Sequence, residues 1–281
     1  MGTSASSGGP GGGVPMIPPW VSPIPAQGDA LDSGMQTQGS LNPAIPDSNI
    51  QPSTQGLALP GRFRGSRTSL GRFARTGSQD DMRAGIARYV RTGLGGARRA
   101  SQRMSTTSKT VGSLYGVLDT LSRGQAFAPG HALEAARLVG RSSEEIRDLI
   151  IEFIRPVDGT QDAEASRDSM ARAFSELLEV EPATDLTALS HEQIDSVTQA
   201  YVAHDIWHRI QLDVGKAVMG KAPDYRAAVN RLQEMSDYVR EKVAASFRRR
   251  ADSGTRLTRE NAASLTNEVM RDTFGVFEEY L

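Results

Sequence analysis

From about residue 108 onward, apolar side chains recur every three or four positions with polar ones between them, the period of amphipathic helices. Val111, Leu114, Tyr115, Leu118 and Leu121 form the first stripe, and a short helix is expected over 131–139. Ser142 or Ser143 ahead of Glu145 caps the next helix, which carries Ile146, Leu149, Ile150, Phe153 and Ile154 until Pro156 stops it. Residues 162–180 bury Met170, Phe174, Leu177 and Leu178. Ser190 with Gln193 forms a capping box that opens a long helix to about 219, with Ile194, Val197, Tyr201, Ile206, Trp207, Ile210, Val214 and Val218 as its apolar positions. Pro223 is placed as the first residue of the following helix, where a missing N–H costs nothing. That helix runs through Tyr225, Val229, Leu232, Met235, Val239, Val243 and Phe247 and ends in Arg248, Arg249 and Arg250, cations suited to a helix C-terminus. A final helix from near Thr258 carries Ala262, Leu265, Val269, Phe277 and Tyr280, with Asn261, Glu268 and Arg271 on its wet side. No alternating strand pattern competes. The fold class is therefore all-α, a multi-helix bundle of about five to eight helices joined by short loops.

The first hundred residues read differently. RFRGSRTSLG at 62–71 is echoed by RFARTGSQDD at 72–81, too brief a repeat for a solenoid. Ser78 before Asp80 and Asp81 starts a helix with Met82, Ile86, Tyr89 or Val90, and Leu94, and Gly93, Gly95 and Gly96 break it. Three segments are thus expected: a tail over 1–61, an arginine-rich basic arm with one helix over 62–103, and a helical bundle domain over 104–281.

Composition explains the tail. Residues 1–61 hold ten of the fourteen prolines, eleven of the twenty-eight glycines, no lysine or arginine, and only Asp29, Asp32 and Asp47 as charges. Such a segment cannot bury enough apolar surface to offset its ordering entropy and is expected to be disordered in isolation. The overall charge of −1 conceals a partition into −3 over 1–61, +9 over 62–103 and −7 over 104–281. The arginine block can meet nucleic acid, an acidic protein surface, or the acidic half of the same chain.

Several chemistries drop out. Without cysteine there is no disulfide, thiolate nucleophile or cysteine zinc site. No apolar run approaches the roughly eighteen residues of a membrane span and no secretory signal opens the chain, so no membrane role is expected and the cytoplasm is the expected location. Glu144-Glu145 and Glu278-Glu279 sit where solvated charge is ordinary. GGPGGG at 8–13 lacks the lysine, strand and helix of a phosphate loop. His204, Asp205 and His208 in HDIWH put two imidazoles one turn apart, the spacing of a metal pair. Aspartate replaces the usual general-base glutamate there, and beyond His131 and His191 no third ligand is indicated, so the pair reads more simply as partly buried structure. No catalytic constellation and no cofactor are expected, and the chain reads as non-enzymatic.

Three binding features remain. Arg62, Arg64, Arg67, Arg72 and Arg75 alternate with Phe63 and Phe73, a mixture able to contact phosphates and stack on bases. VPMIPPWVSPIP at 14–25 displays Met16, Ile17, Trp20, Val21 and Ile24 on a proline-stiffened strand, to dock on another protein or to pack on its own helical domain. At the N-terminus, Gly2 is small enough for methionine removal, leaving an α-amine with a pKa of about 7.7 to 8 beside the unhindered Thr3 and Ser4. A flexible tail of about 60 residues spans roughly 40 Å, enough to enter another enzyme's active site. The same letters, Gly2 with Ser6, also satisfy the loose myristoylation pattern, and a plain solubilising tail is the simplest alternative.

MGTSASSGGPGGGVPMIPPWV at 1–21, the RFRGSRTSLGRFARTG stretch and the all-helical remainder together resemble the QatB family of the bacterial Qat anti-phage defence system. The resemblance runs along the whole chain, with its specificity in the first hundred residues. It implies operon partners: an ATPase (QatA), a QueC-like relative of deazaguanine-forming enzymes (QatC) and a TatD-like nuclease (QatD). It further implies that the chain is a substrate and adaptor, the QueC-like partner attaching an ATP-activated deazaguanine carboxylate as an amide to the Gly2 α-amine. A nucleic-acid-binding or complex-scaffolding adaptor working through the arginine arm is the alternative.

Overall fold

A computed structural model describes residues 61–125, 127 and 133–280, all within the unit Gly56–Leu281. The described residues are all-α: α1 (Arg64–Thr76), α2 (Gln79–Arg88), a π-helical turn (Tyr89–Leu94), α3 (Ala97–Arg103), α4 (Ser105–Ser122), α5 (Ala135–Leu138), α6 (Ser143–Ile154), α7 (Gln161–Val180), α8 (His191–Met219), α9 (Tyr225–Asp252) and α10 (Ala262–Glu278).

Local chemistry sets most of the boundaries. Ser142 and Ser190 each close a capping box, with Glu145 and Gln193 returning a bond to the cap residue's N–H at 2.9 and 2.8 Å. Ser78 caps α2 by accepting from the Asp81 N–H. Gly77 ends α1 in the left-handed region at φ 75° and donates to the Phe73 carbonyl at 2.8 Å. The glycine break after α2 takes the form of a wide π turn that Gly95 terminates at φ 86°.

Other boundaries differ from expectation. The short helix is confined to Ala135–Leu138. Pro223 precedes the α9 cap rather than opening the helix, because the Asp224 carboxylate accepts from the Ala227 N–H at 2.7 Å and sets the start two residues later, at Tyr225. Thr258 begins a reciprocal turn with Asn261, and α10 starts only at Ala262. The apolar stripe of α9 overshoots the core, leaving Tyr225 and Val229 exposed while Met235, Val239 and Val243 are buried.

α8 lies at the centre, against α1, α4, α7 and α9, and is buried on several sides by Ile194, Val197, Tyr201, Val202, Ile206, Ile210 and Val214. α10 covers α3, α4 and α9. Buried hydroxyls find partners across these seams, as where Tyr115 donates to the Leu257 carbonyl at 3.1 Å and Tyr201 shares a 2.9 Å bond with Ser166.

Residues 62–103, expected to carry one helix, form α1, α2, the π turn and α3. Phe63, Leu70, Phe73, Met82, Ile86, Tyr89, Val90 and Leu94 belong to the same hydrophobic core as the later helices. Two apolar faces meet closely here. A Cβ on Gly85 of α2 would stand 2.6 Å from the Leu70 side chain of α1, so the glycine permits the approach, and the Ser66 hydroxyl donates to the Gly85 carbonyl at 2.8 Å across it.

Candidate functional site

The arginine block divides by partner. Arg72 pairs with Asp81 at 2.8 Å, and Arg83 reaches Asp80 at 3.9 Å. Arg67 donates to the main-chain carbonyl of Asp213 at 2.8 Å, and Arg88 bonds the Ser69 hydroxyl. Arg62 lies with its guanidinium 4.5 Å from the Phe63 ring centre. Arg64, Arg75, Arg91, Arg98, Arg99 and Arg103 are exposed, and with Arg62 they have no carboxylate partner among the described residues. The acidic half of the chain therefore does not neutralise this block: the carboxylates its arginines pair with, Asp80 and Asp81, lie inside it. Acidic side chains farther along serve other arginines, Glu176 holding Arg240 at 2.9 Å and Glu268 holding Arg250 at 2.7 Å. Arg250 is thus a cross-helix tie from α9 to α10 rather than simply a charge at a helix end.

Of the five arginines singled out in sequence, Arg64 and Arg75 are left exposed and without a carboxylate partner among the described residues. The expected aromatic share of the site is not there. Phe73 is fully buried and Phe63 nearly so, stacked on Tyr89 at 5.1 Å, so neither ring is free to stack on a base. The physical reason is the spacing of Phe63, Leu70, Phe73 and Ala74, which puts them on the core side of α1 while Arg64, Arg72 and Arg75 take the other.

The two histidines of HDIWH turn to separate partners. His204 Nε2 meets Glu176 Oε1 of α7 at 2.8 Å. His208 Nε2 lies 3.0 Å from Asp168, and its Nδ1 is 3.0 Å from the Ala165 carbonyl. Between them Asp205 points to α4, accepting from the Thr107 hydroxyl at 2.5 Å. Among the described residues no cluster of three potential ligands forms around either imidazole. The pair works as a set of polar ties between α7 and α8.

These ties give a pH signature. Burial pushes the His204 imidazole below the ordinary histidine value, outweighing the pull of Glu176, and Arg240 and Arg172 act in the same downward direction. Since the folded-state value is the lower one, the unfolded chain takes up the proton first on acidification. This contribution to stability is complete above pH 6.5 and is lost as the pH falls below 6.5 through the depressed folded value. Denaturant unfolding of His204→Gln across about pH 5 to 7 should show a flatter pH dependence than the parent; identical slopes would remove His204 from the account.

Gly2, Thr3, Ser4, Ile17, Trp20, Val21 and His131 lie outside the described residues. No helix among the described residues is long and apolar enough to cross a membrane.

Comparison with known families gives a match over residues 95–277, more than half of the chain, to the family described as QatB, Qat anti-phage system associated protein QatB. The match begins where most of the stretch carrying the sequence resemblance ends, so the helical region also bears the family's signature. No curated protein and no solved structure matches.

Proposed function

The chain belongs to the QatB family of the Qat anti-phage defence system, and we propose that within that system it is the non-enzymatic acceptor and carrier of a modification placed on Gly2 by a QueC-like partner. One observation carries this reading: Gly2 follows Met1 directly and precedes Thr3, Ser4, Ala5, Ser6 and Ser7, so methionine removal leaves an unhindered primary amine. Membership of a multi-component system implies partners within it. The QueC-like enzyme is the proposed modifier, with the ATPase and the TatD-like nuclease as further members of the assembly.

The chemistry balances without any catalytic group from this chain. The neutral amine attacks the ATP-activated carboxyl carbon of the deazaguanine, the C–N amide bond forms, and the bond to the phosphate-bearing leaving group breaks. The leaving group departs with the electron pair, and the proton shed by nitrogen passes to water. With a pKa of about 7.7 to 8, the amine is neutral in an appreciable fraction of molecules near neutral pH.

Intact mass and N-terminal peptide mapping of the protein purified from its complete operon test this. The expected result is a deazapurine-sized increment on the methionine-less N-terminal peptide, absent when the QueC-like partner is deleted. An unmodified Gly2 peptide from the complete operon overturns the proposal.

A second reading, an adaptor that grips nucleic acid or an acidic partner surface, is favoured by the exposed arginines without carboxylate partners, Arg64, Arg75, Arg91, Arg98, Arg99 and Arg103. It places the sensitive positions on the arginine face rather than at Gly2.

A further inference from the structure

We infer that the pocket lined by the end of α3, the start of α4, the residue after α6, the N-terminus of α7 and the middle of α8 is a binding site for a small phosphate-bearing anion. Its volume is about 390 Å³, within the span of roughly 300 to 1,000 Å³ typical of small-molecule sites.

Three arginines from separate elements line it: Arg103 at the end of α3, Arg155 just after α6, and Arg209 on α8. Bringing three guanidinium groups to one cavity costs mutual repulsion that an anion relieves. The carboxylates present do not supply that relief in full. Asp162 is committed to Arg209, with two contacts of 2.9 and 3.4 Å. Asp205, which also lines the cavity, accepts from Thr107, and burial pushes its carboxyl above the ordinary range, which weakens its hold as a counter-charge. Arg103 has no partner among the described residues, and the buried Nε of Arg155 has no acceptor. Neither arginine has a carboxylate partner among the described residues, so their charges favour an anion in the cavity they line.

The backbone adds to this field. Thr160 caps the 20-residue α7 and takes up the Ala163 N–H, while Gln161 and Asp162, two residues that line the same cavity, stand in the first turn of that helix, where backbone N–H groups have no intrahelical acceptor. Forked guanidinium donors together with helix-end N–H groups match the tetrahedral oxygens of a phosphate better than a planar or apolar ligand. A concave pocket lined by five segments suits a small molecule rather than the long track that a nucleic-acid strand follows. This site is separate from the exposed Arg64 and Arg75 and does not depend on the modification of Gly2.

The test uses the full chain, titrated with inorganic phosphate and with adenosine monophosphate against sodium chloride at matched ionic strength, read by thermal unfolding and calorimetry. Saturable stabilisation beyond the chloride control is expected from phosphate, and tighter binding of the nucleotide would mark an organic phosphate as the preferred source. Arg103→Gln and Arg155→Gln should each weaken binding by about tenfold or more, whereas Arg64→Gln with Arg75→Gln should leave it unchanged. Circular dichroism checks folding. If Arg155→Gln does not fold, the exposed Arg103→Gln decides alone. Stabilisation no greater than chloride gives, undiminished binding in Arg103→Gln, or equal loss in the Arg64/Arg75 variant overturns the site.

Discussion

Replacing Gly2 with leucine is expected to abolish phage protection, to the level of a strain lacking this chain, while leaving the protein folded and abundant. Leucine is too large for initiator methionine removal, so the variant keeps Met1 and never presents the proposed acceptor. Gly2→Ala is the informative companion: the methionine is still removed and a primary amine remains, with one added methyl beside it. Partial protection is expected from alanine and none from leucine. Neither change replaces a residue of the helical domain, so equal thermal stability of the three proteins should accompany the loss. Under the competing reading the ranking inverts. Arg64→Gln combined with Arg75→Gln would then remove protection and Gly2→Leu would keep it. Plaque counts on these variants, alongside the N-terminal mass, decide between an acceptor and a basic adaptor. Arg72, prominent in the sequence, is the poorer probe because its partner Asp81 would lose its counter-charge along with it.

Phe73→Ala should destabilise the domain by about 3 to 5 kcal/mol, the cost of emptying a large aromatic site in a packed core. Phe73 is fully buried between α1 and its neighbours, with the Arg231 guanidinium of α9 5.4 Å from its ring centre. Chemical denaturation measures the loss, with Arg75→Gln expected to stay within about 0.5 kcal/mol of the parent as an exposed, unpaired control. The contrast bears directly on residues 62–103. A loose arm that used Phe73 to stack on bases would lose affinity for nucleic acid on substitution and keep its stability. A helix docked into the core loses stability instead.

How far these properties could be read in the sequence follows from the range of the interactions involved. The boundaries of α6 and α8 rest on residues three apart, Ser142 with Glu145 and Ser190 with Gln193, so they stand in the letters themselves. The apolar stripe of α4 is likewise local, and all five of its named residues are buried. In 62–103 the helical spacing of Phe63, Leu70 and Phe73 is equally present, but so is a dense arginine pattern on the opposite face of the same helix. The sequence alone could not say which face the core would claim.

The remaining features join distant residues. His204 and His208 are one turn apart, but Glu176 and Asp168 on α7 decide where each ring turns, and Thr107 on α4 decides where Asp205 turns. Arg103, Arg155 and Arg209 share no motif, being separated by about fifty residues at each step, and only the packing of α3, the end of α6 and α8 puts them round one cavity. By itself, then, the sequence determined the all-α class, most helix spans and the partition of charge, because each depends on composition or on neighbours within a turn. Tertiary structure decided that α1 belongs to the core, which arginines remain unpaired, and how the polar pocket closes. Burial and pairing arise from contacts between segments far apart along the chain, and no local pattern encodes them.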